Sequence, residues 1–194
     1  MRKPLPLRKG DVIAVCAPAG PVDGGLLARG IARLSDAGYV PEVAEGVLAS
    51  EGDLAGSDGH RARQMEWALP LPEARAVMAA RGGFGTTRIL PLVDWRKALL
   101  RRKLLVGFSD LTAALSYVST RLKFPCLHGP MAAADLALRF DPRALDAFAR
   151  LDGGPLAAYR ASYAELAAAQ REREALAADA DERARRADYL AYQL

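Results

Sequence analysis

Short apolar runs alternate with segments of helical periodicity from residue 11 to about residue 130. Most of these runs lack the polar alternation of a strand that has one face in water. Continuous apolar strands separated by helices are typical of a parallel sheet that helices cover on both faces. The sequence therefore predicts an α/β fold, with a mostly parallel sheet and helices on both faces. The predicted strands are 11–20, 39–47, 74–80, 103–109 and a short strand over 124–130. The predicted helices are 24–38, 60–69, a short helix over 87–95 that is broken near Pro91, and 110–122.

Local residues sharpen this prediction at two places. Pro41 has no amide hydrogen to donate within a sheet, which favours an edge or early position for the strand 39–47. Either Ser57 or Asp58 suits the N-cap of the helix 60–69, because both side chains carry an oxygen that can accept from the first amides of a helix.

The composition of the chain changes near residue 150. Residues 151–159 contain glycine and proline and suit a linker, whereas residues 160–194 contain neither and are rich in Ala, Glu and Arg. The sparse apolar stripe of the second segment predicts a long C-terminal charged helix, similar to half of a coiled-coil pair. Such a helix buries little surface alone, so we expect it to need a partner, for example in a homodimer. The predicted organisation is an α/β domain over 1–150, a linker and a helical tail.

Charge and cysteine content exclude several classes of protein. The 194 residues carry a net charge of +4 with acidic and basic residues interspersed, which is too mild to predict a nucleic-acid partner.

Cys16 and Cys126 lie in apolar runs and are expected to be buried free thiols in a reducing compartment. There is no Cys/His cluster that would predict a metal site, and no cofactor is expected. The N-terminal apolar run is short and broken by Gly10 and Asp11, so neither a signal peptide nor a membrane span is predicted, and we expect a cytoplasmic protein.

The segment LLVGFSDLTAAL, residues 104–115, places a serine where a predicted strand passes into a predicted helix. A sharp turn of this kind lifts Ser109 Oγ clear of a sheet and points the backbone N–H of Asp110 into the same space. Gly107 leaves room for the bend. Two interpretations are open at this point: Ser109 is a nucleophile whose oxyanion is held by backbone N–H groups, or it is the N-cap of the following helix.

The glycine-rich segment RGGFGTT, residues 81–87, offers successive backbone N–H groups ahead of a predicted helix. Such a loop suits a carboxylate or an oxyanion, and a plain glycine turn is the alternative. The segment lacks the Gly-Lys-Ser/Thr of a Walker loop, so a nucleotide site ranks last among the hypotheses. Arg81 could hold a substrate carboxylate or form a surface ion pair.

The chain contains two histidines, His60 and His128, and each is a candidate for the general base. His60 begins a helix in a polar loop and is expected to be a solvated residue. His128 ends the strand that follows the one carrying Ser109, so the two side chains approach each other if these strands are neighbours about 5 Å apart. His128 could also bind substrate or only satisfy its own backbone.

Five segments occur in a fixed order in this chain: GDVIAVCAPAGPVD, SDGHRARQMEWAL, ARGGFGTTRILPLVDW, LLVGFSDLTAAL and LHGPM. This order resembles that of the LD-carboxypeptidase family of serine peptidases, to which microcin C self-immunity peptidases are related. The resemblance implies that Ser109 is the nucleophile, with an oxyanion hole formed by the backbone N–H groups of Asp110 and Gly83. Members release the terminal D-alanine of a murein tetrapeptide in the cytoplasm and need no metal. The resemblance covers about residues 5–135. The expected substrate contacts are Arg81, Gly82, Phe84 and His128.

The resemblance stops near residue 150. In the family a glutamate and a histidine complete the triad from a second, C-terminal domain, and the histidine of the HGP segment is not the family's base. The tail instead resembles the coiled-coil entry of the repair ATPase RecN. We therefore expect a truncated carboxypeptidase with little or no turnover alone, because removing the base from such a triad slows the reaction by orders of magnitude. The alternative is a non-catalytic α/β interaction protein that dimerises through its C-terminal helix.

Overall fold

The computed structural model describes residues 4–138 together with Leu145 and Phe148. These residues belong to the first of the two units into which the chain divides, Met1–Leu151. The predicted linker 151–159 and the predicted tail 160–194 lie outside the described residues.

All five strands found in the described part of the chain pair in parallel within one sheet. They are β1 (Val12–Cys16), β2 (Val40–Val43), β3 (Ala74–Ala79), β4 (Leu104–Gly107) and β5 (Leu127–His128). The order across the sheet is β2-β1-β3-β4-β5, so β2 is an edge strand, as its proline predicts. The direction of winding reverses between β1 and β3. In open parallel sheets such a switch point leaves a crevice at the carboxyl ends of the strands, where ligands bind.

Helices connect the strands, and the longest of them begin at capped residues. Asp23 Oδ1 accepts from the Leu26 N–H at 2.7 Å, and Ser57 Oγ accepts from the His60 N–H at 3.2 Å, so Ser57 is the N-cap of the second helix. No helix within residues 4–138 has both the length and the apolar character needed to cross a membrane. The helices are α1 (Gly24–Asp36), α2 (Asp58–Ala68), α3 (Thr86–Ile89), α4 (Arg96–Arg101), α5 (Thr112–Thr120) and α6 (Asp135–Leu138).

The sheet has one apolar core on each face. Alternate residues of a strand point to opposite faces, so Ile13 and Val15 belong to one core and Ala14 and Cys16 to the other. The first core includes residues of α1 and α6, and the second includes residues of α2 and α5. The predicted α/β class, with helices on both faces of a parallel sheet, is confirmed.

Two predicted elements are shorter in the structure. The helix predicted over 87–95 breaks near Pro91 as expected, because proline has no N–H with which to continue an α-helix, but it is only the single turn α3 followed by a 3-10 turn, Leu90–Leu92. The strand predicted over 124–130 is reduced to the two residues of β5, which lie between prolines in the sequence. The sequence analysis did not predict α4 and α6, which are both short.

Candidate active site

The loops that follow β1 and β3 meet at the switch point of the sheet. Gly20 N donates to Gly82 O at 3.2 Å. A Cβ atom on Gly20 would lie 3.0 Å from Gly82 O, and a Cβ atom on Gly83 would lie 3.0 Å from Gly20 Cα. The two backbones can approach this closely only because neither loop has a side chain at the contact. The wall of the crevice is therefore main chain, with its N–H and C=O groups.

Ser109 lies in a sharp turn between β4 and α5. Its φ is +58°, a left-handed conformation that costs a residue other than glycine about 1 kcal/mol or more. The turn also requires Gly107, because a Cβ atom there would lie 2.3 Å from Leu111 Cδ2. The Ser109 side chain is exposed rather than packed in the core. The bend thus lifts the serine out of the sheet, as the sequence predicts.

Ser109 faces the glycine loop across a short gap. A Cβ atom on Gly82 would lie 2.8 Å from Ser109 Cβ, 2.9 Å from Ser109 Oγ and 3.6 Å from Asp110 N. The hydroxyl, the loop backbone and the Asp110 amide therefore border one small space. Backbone N–H groups that face such a space can stabilise the negative oxygen that forms when a hydroxyl attacks a carbonyl.

The side chain of Asp110 ties this turn to the glycine loop. Asp110 Oδ2 accepts from Thr86 N at 2.7 Å.

The alternative that Ser109 is an N-cap is wrong, because the N-caps of the 3-10 turn Ser109–Leu111 and of α5 are other residues and make no side-chain capping bond. The polar side chains of this turn thus face the loop and the crevice.

Arg81 joins the two loops from the outside. Its Nη1 donates to Pro21 O at 3.0 Å and its Nε donates to Gly82 O at 3.2 Å. Both acceptors are backbone carbonyls, and the side chain remains exposed at the rim of the crevice. Phe84, also in the loop, is 57% exposed.

The two histidines lie in different surroundings. His128 ends β5 next to β4, where its ring tilts against the Phe108 ring with centroids 5.7 Å apart. The neighbouring strands that the His128 hypothesis requires are therefore present. His60 Nε2 lies 3.0 Å from Gly46 O and 3.0 Å from Gln64 Nε2. The expectation that His60 is simply solvated is wrong, because its half-buried ring holds the loop before α2.

The cysteines are free thiols, with Cys16 buried and Cys126 half-buried. Burial raises the pKa of each thiol to about 12. Both are therefore neutral at pH 7, and neither is activated as a nucleophile. Within the described part of the chain, no three side chains of His, Cys, Asp or Glu are grouped so that they could hold a metal ion.

Arg61 of α2 supports the site although sequence reasoning gave it no role. Its side chain is 0% exposed and pairs with Asp58. Its Nη1 donates to Pro18 O at 2.7 Å and to Gly85 O at 2.8 Å, so it holds both loops that form the crevice. One turn further along, Gln64 Oε1 accepts from the amide of Ala17 at 2.8 Å.

A weak signal for these residues exists in the sequence. Residues 61, 64, 65 and 68 share one helix face, and Met65 and Ala68 on that face are buried. Arg61 and Gln64 are thus long polar side chains where an amphipathic helix would place apolar ones. Buried arginine and glutamine need partners, and such partners imply a hydrogen-bonding task.

Comparison with known proteins shows the family to which the domain with this crevice belongs. A family model described as the LD-carboxypeptidase N-terminal domain matches residues 13–129, which is more than half of the chain. The chain belongs to the LD-carboxypeptidase family. The matched span of this LD-carboxypeptidase domain includes the glycine loop, Ser109 and His128.

Relatives of the LD-carboxypeptidase domain include proteins whose names mention murein or muramoyl peptides. The "Probable murein peptide carboxypeptidase" of Bacillus subtilis is 32% identical over 136 residues, which are 70% of this chain and 43% of that protein. The crystal structure of muramoyltetrapeptide carboxypeptidase from Oxalobacter formigenes is 33% identical with a TM-score of 0.61, covering 71% of this chain and 46% of that one.

A third relative shows the same fold at lower identity. The microcin C7 self-immunity protein MccF, in its inactive-mutant apo state, has a TM-score of 0.72 at 19% identity, covering 78% of this chain and 47% of that one. The chain thus spans less than half the length of these LD-carboxypeptidase relatives.

Proposed function

We propose that this chain is a serine-type carboxypeptidase that removes the terminal D-alanine from a murein tetrapeptide during cell-wall recycling in the cytoplasm. The observation that carries the proposal is the exposed Ser109 hydroxyl, held against the backbone of Gly82 and beside the amide of Asp110. The murein-peptide names of relatives at 32% and 33% identity support the substrate class.

The proposed reaction is acyl transfer through Ser109. Its Oγ attacks the carbonyl carbon of the last peptide bond and loses its proton to a base. The oxygen that becomes negative accepts hydrogen bonds from the backbone N–H groups of Asp110 and Gly83. The amine of D-alanine leaves with a proton, and water then hydrolyses the acyl-serine ester. None of these steps requires a metal ion or a cofactor.

The residues around the crevice suit the ends of such a peptide. Arg81 lies at the rim, where its guanidinium can attract the C-terminal carboxylate of the substrate. Phe84 and His128 are both exposed and can contact the rest of the peptide, beside the Gly82 backbone.

We expect the chain to turn over slowly by itself. It contains two histidines, of which His60 is engaged by Gly46 and Gln64, and His128 packs against Phe108. A serine without an efficient base retains only the rate that binding and the oxyanion hole provide.

A fluorophosphonate probe tests the proposal, because it reacts with a serine that has an oxyanion hole. We expect slow labelling that Ser109→Ala abolishes, with the modified peptide identified by mass spectrometry. Ser119→Ala is the matched control, because Ser119 is an exposed serine of α5 whose hydroxyl donates to Ser116 O of the same helix, and labelling should be retained. Equal labelling of wild type and Ser109→Ala would refute the nucleophile. Rapid stoichiometric labelling would instead show that the chain supplies its own base.

D-Alanine release from a purified murein tetrapeptide tests the substrate. We expect a slow release that depends on Ser109 and is absent for a tetrapeptide ending in L-alanine. Equal release from both peptides would contradict the proposed specificity.

A further inference from the structure

The peptide group between Gly85 and Thr86 is held at both of its ends. Its carbonyl oxygen accepts from Arg61 Nη1 at 2.8 Å, and its N–H donates to Asp110 Oδ2 at 2.7 Å. A peptide group has a negative oxygen end and a positive hydrogen end, so the cation and the anion each meet the end of opposite sign. Hydrogen bonds to charged groups are stronger than neutral ones, so this peptide plane has one preferred orientation.

Arg61 is itself fixed in place. Its Nε donates to Gly56 O at 3.3 Å and its Nη1 also donates to Pro18 O at 2.7 Å. Asp58 pairs with the guanidinium and also binds the Arg88 guanidinium at 2.8 Å. Because the side chain is fully buried, any movement would leave several polar groups without partners inside the protein.

The fit around Gly85 adds a steric constraint. Its φ is +116°, and a Cβ atom would lie 2.6 Å from Arg61 Nη1 and 2.7 Å from Leu54 Cδ2. The loop therefore ends in a backbone conformation that glycine allows, pressed against the guanidinium.

Asp110 connects this end of the loop to the nucleophile. It follows Ser109 directly in the chain, so its carboxylate cannot move far from the proposed attacking atom. Asp110, whose amide is one proposed oxyanion donor, thus also binds the loop that contains Gly83, whose amide is the other.

We propose that Arg61 is a positioning residue, which acts through the Gly85–Thr86 peptide and the Asp110 carboxylate to set the distance between the glycine loop and Ser109. This inference rests on the proposed function, in which that loop supplies an oxyanion donor. A loop that drifts from Ser109 would stabilise the negative oxygen less, because such donors act only at hydrogen-bond distance.

The test compares four single variants and the Arg61→Met/Asp110→Ala double variant with wild type by ¹⁵N NMR and by fluorophosphonate labelling. The Arg61 and Asp110 side chains that hold the Gly85–Thr86 peptide are called the brace. Arg61→Met and Asp110→Ala each remove one end of the brace, and Arg61→Lys keeps the charge without the planar fork of donors. Arg63→Met is the matched control, because Arg63 lies on the same helix and is exposed. We expect the Thr86 amide resonance to shift upfield and its hydrogen exchange to accelerate in Asp110→Ala, with smaller shifts in Arg61→Lys and none in Arg63→Met.

The labelling rate of Ser109 gives the functional readout. We expect it to fall about tenfold in Arg61→Met and in Asp110→Ala, and about as far in the double variant, because both changes release the same peptide group. Arg61→Lys should recover part of the rate. If Arg61→Met does not fold, Asp110→Ala and Arg61→Lys still carry the test, since Asp110 is only half-buried.

Two results would overturn the inference. One is an unchanged Thr86 amide in Asp110→Ala, which would mean that the brace is absent. The other is a labelling rate equal to wild type in variants whose Thr86 amide has moved, which would mean that the brace holds the loop without positioning it for catalysis. Labelling that persists in Ser109→Ala would refute the proposed function separately, and the positioning role with it, while the Thr86 amide would still report whether the brace exists.

Discussion

The two ends of the sheet each bury a cation that binds backbone carbonyls, but with different chemistry. At the carboxyl ends of the strands, Arg61 serves three carbonyl oxygens and is paired with Asp58. At the amino ends, Lys103 is 0% exposed, and its Nζ donates to Ala74 O at 2.9 Å and to Leu71 O. Burial and, to a lesser extent, the nearby positive charge of Arg101 together lower the pKa of Lys103 to about 8.

The difference shows what each end requires. A guanidinium keeps its charge and presents donors in a fixed plane, so it can hold several loops in one arrangement at any working pH. An ammonium is a single point that can lose its proton when it is desolvated. The end with the proposed site has Arg61, which is permanently charged and donates in several directions. The opposite end has Lys103, a single donor group that holds the turn before β3.

The largest effect is expected from removing each cation in turn. Arg61→Met leaves three carbonyls without their buried donor and Asp58 with only its Arg88 ion pair, and should lower the free energy of unfolding by about 4 kcal/mol. Lys103→Met removes a charge that is costly to bury and should cost only about 1–2 kcal/mol. Urea denaturation at pH 7 measures both values. A larger loss for Lys103→Met would reverse the comparison.

The second prediction concerns the contact between the loop and the serine at the carboxyl ends. Gly82→Ala puts a methyl group at the space beside Ser109 Oγ, where it would lie at 2.9 Å in the unrelaxed structure. We expect the labelling rate of Ser109 to fall by about a hundredfold, as when an oxyanion donor is lost. Gly59→Ala is the control, because its added Cβ meets only the flexible end of Arg63 at 3.5 Å. Labelling of Gly82→Ala at the wild-type rate would show that the oxyanion forms elsewhere.

The smallest expected effect is a pH dependence of stability at the amino ends. The unfolded chain keeps the Lys103 proton up to its ordinary pKa of 10.5, whereas the folded chain releases it near pH 8. Between these values the unfolded state binds more protons, so the contribution of Lys103 to stability rises with pH. The difference in unfolding free energy between wild type and Lys103→Met should therefore grow in favour of wild type from pH 7 to pH 10.

A second lysine provides the control for this measurement. Hydrogen bonding to Glu66 raises the pKa of Lys97, so its contribution to stability is lost only above 10.5 and the Lys97→Met difference should stay flat over the same range. Cys16 and Cys126 titrate in the unfolded chain near pH 9, but they do so equally in all variants and cancel from the differences. A flat Lys103→Met difference would mean that the amine of Lys103 is hydrated in the folded protein.

The fold was largely predictable, and the errors have local causes. The apolar strands and the helix α1 follow from periodicity and capping, which are properties of neighbouring residues. The break predicted near Pro91 is present, because proline has no N–H with which to extend a helix, but the helix before it is only a single turn. The strand β5 was overestimated because its flanking prolines limit pairing.

The candidate site was only half predictable. The sequence by itself determined the kinked junction at Ser109 and the glycine loop, because both depend on sterics between adjacent residues. Only the tertiary structure decided that Asp110 binds the amide of Thr86, 24 residues away, and that Arg61 binds carbonyls 24 and 43 residues away. No spacing rule connects such partners, since burying a polar group is favourable only where the finished fold brings its complement within hydrogen-bond distance.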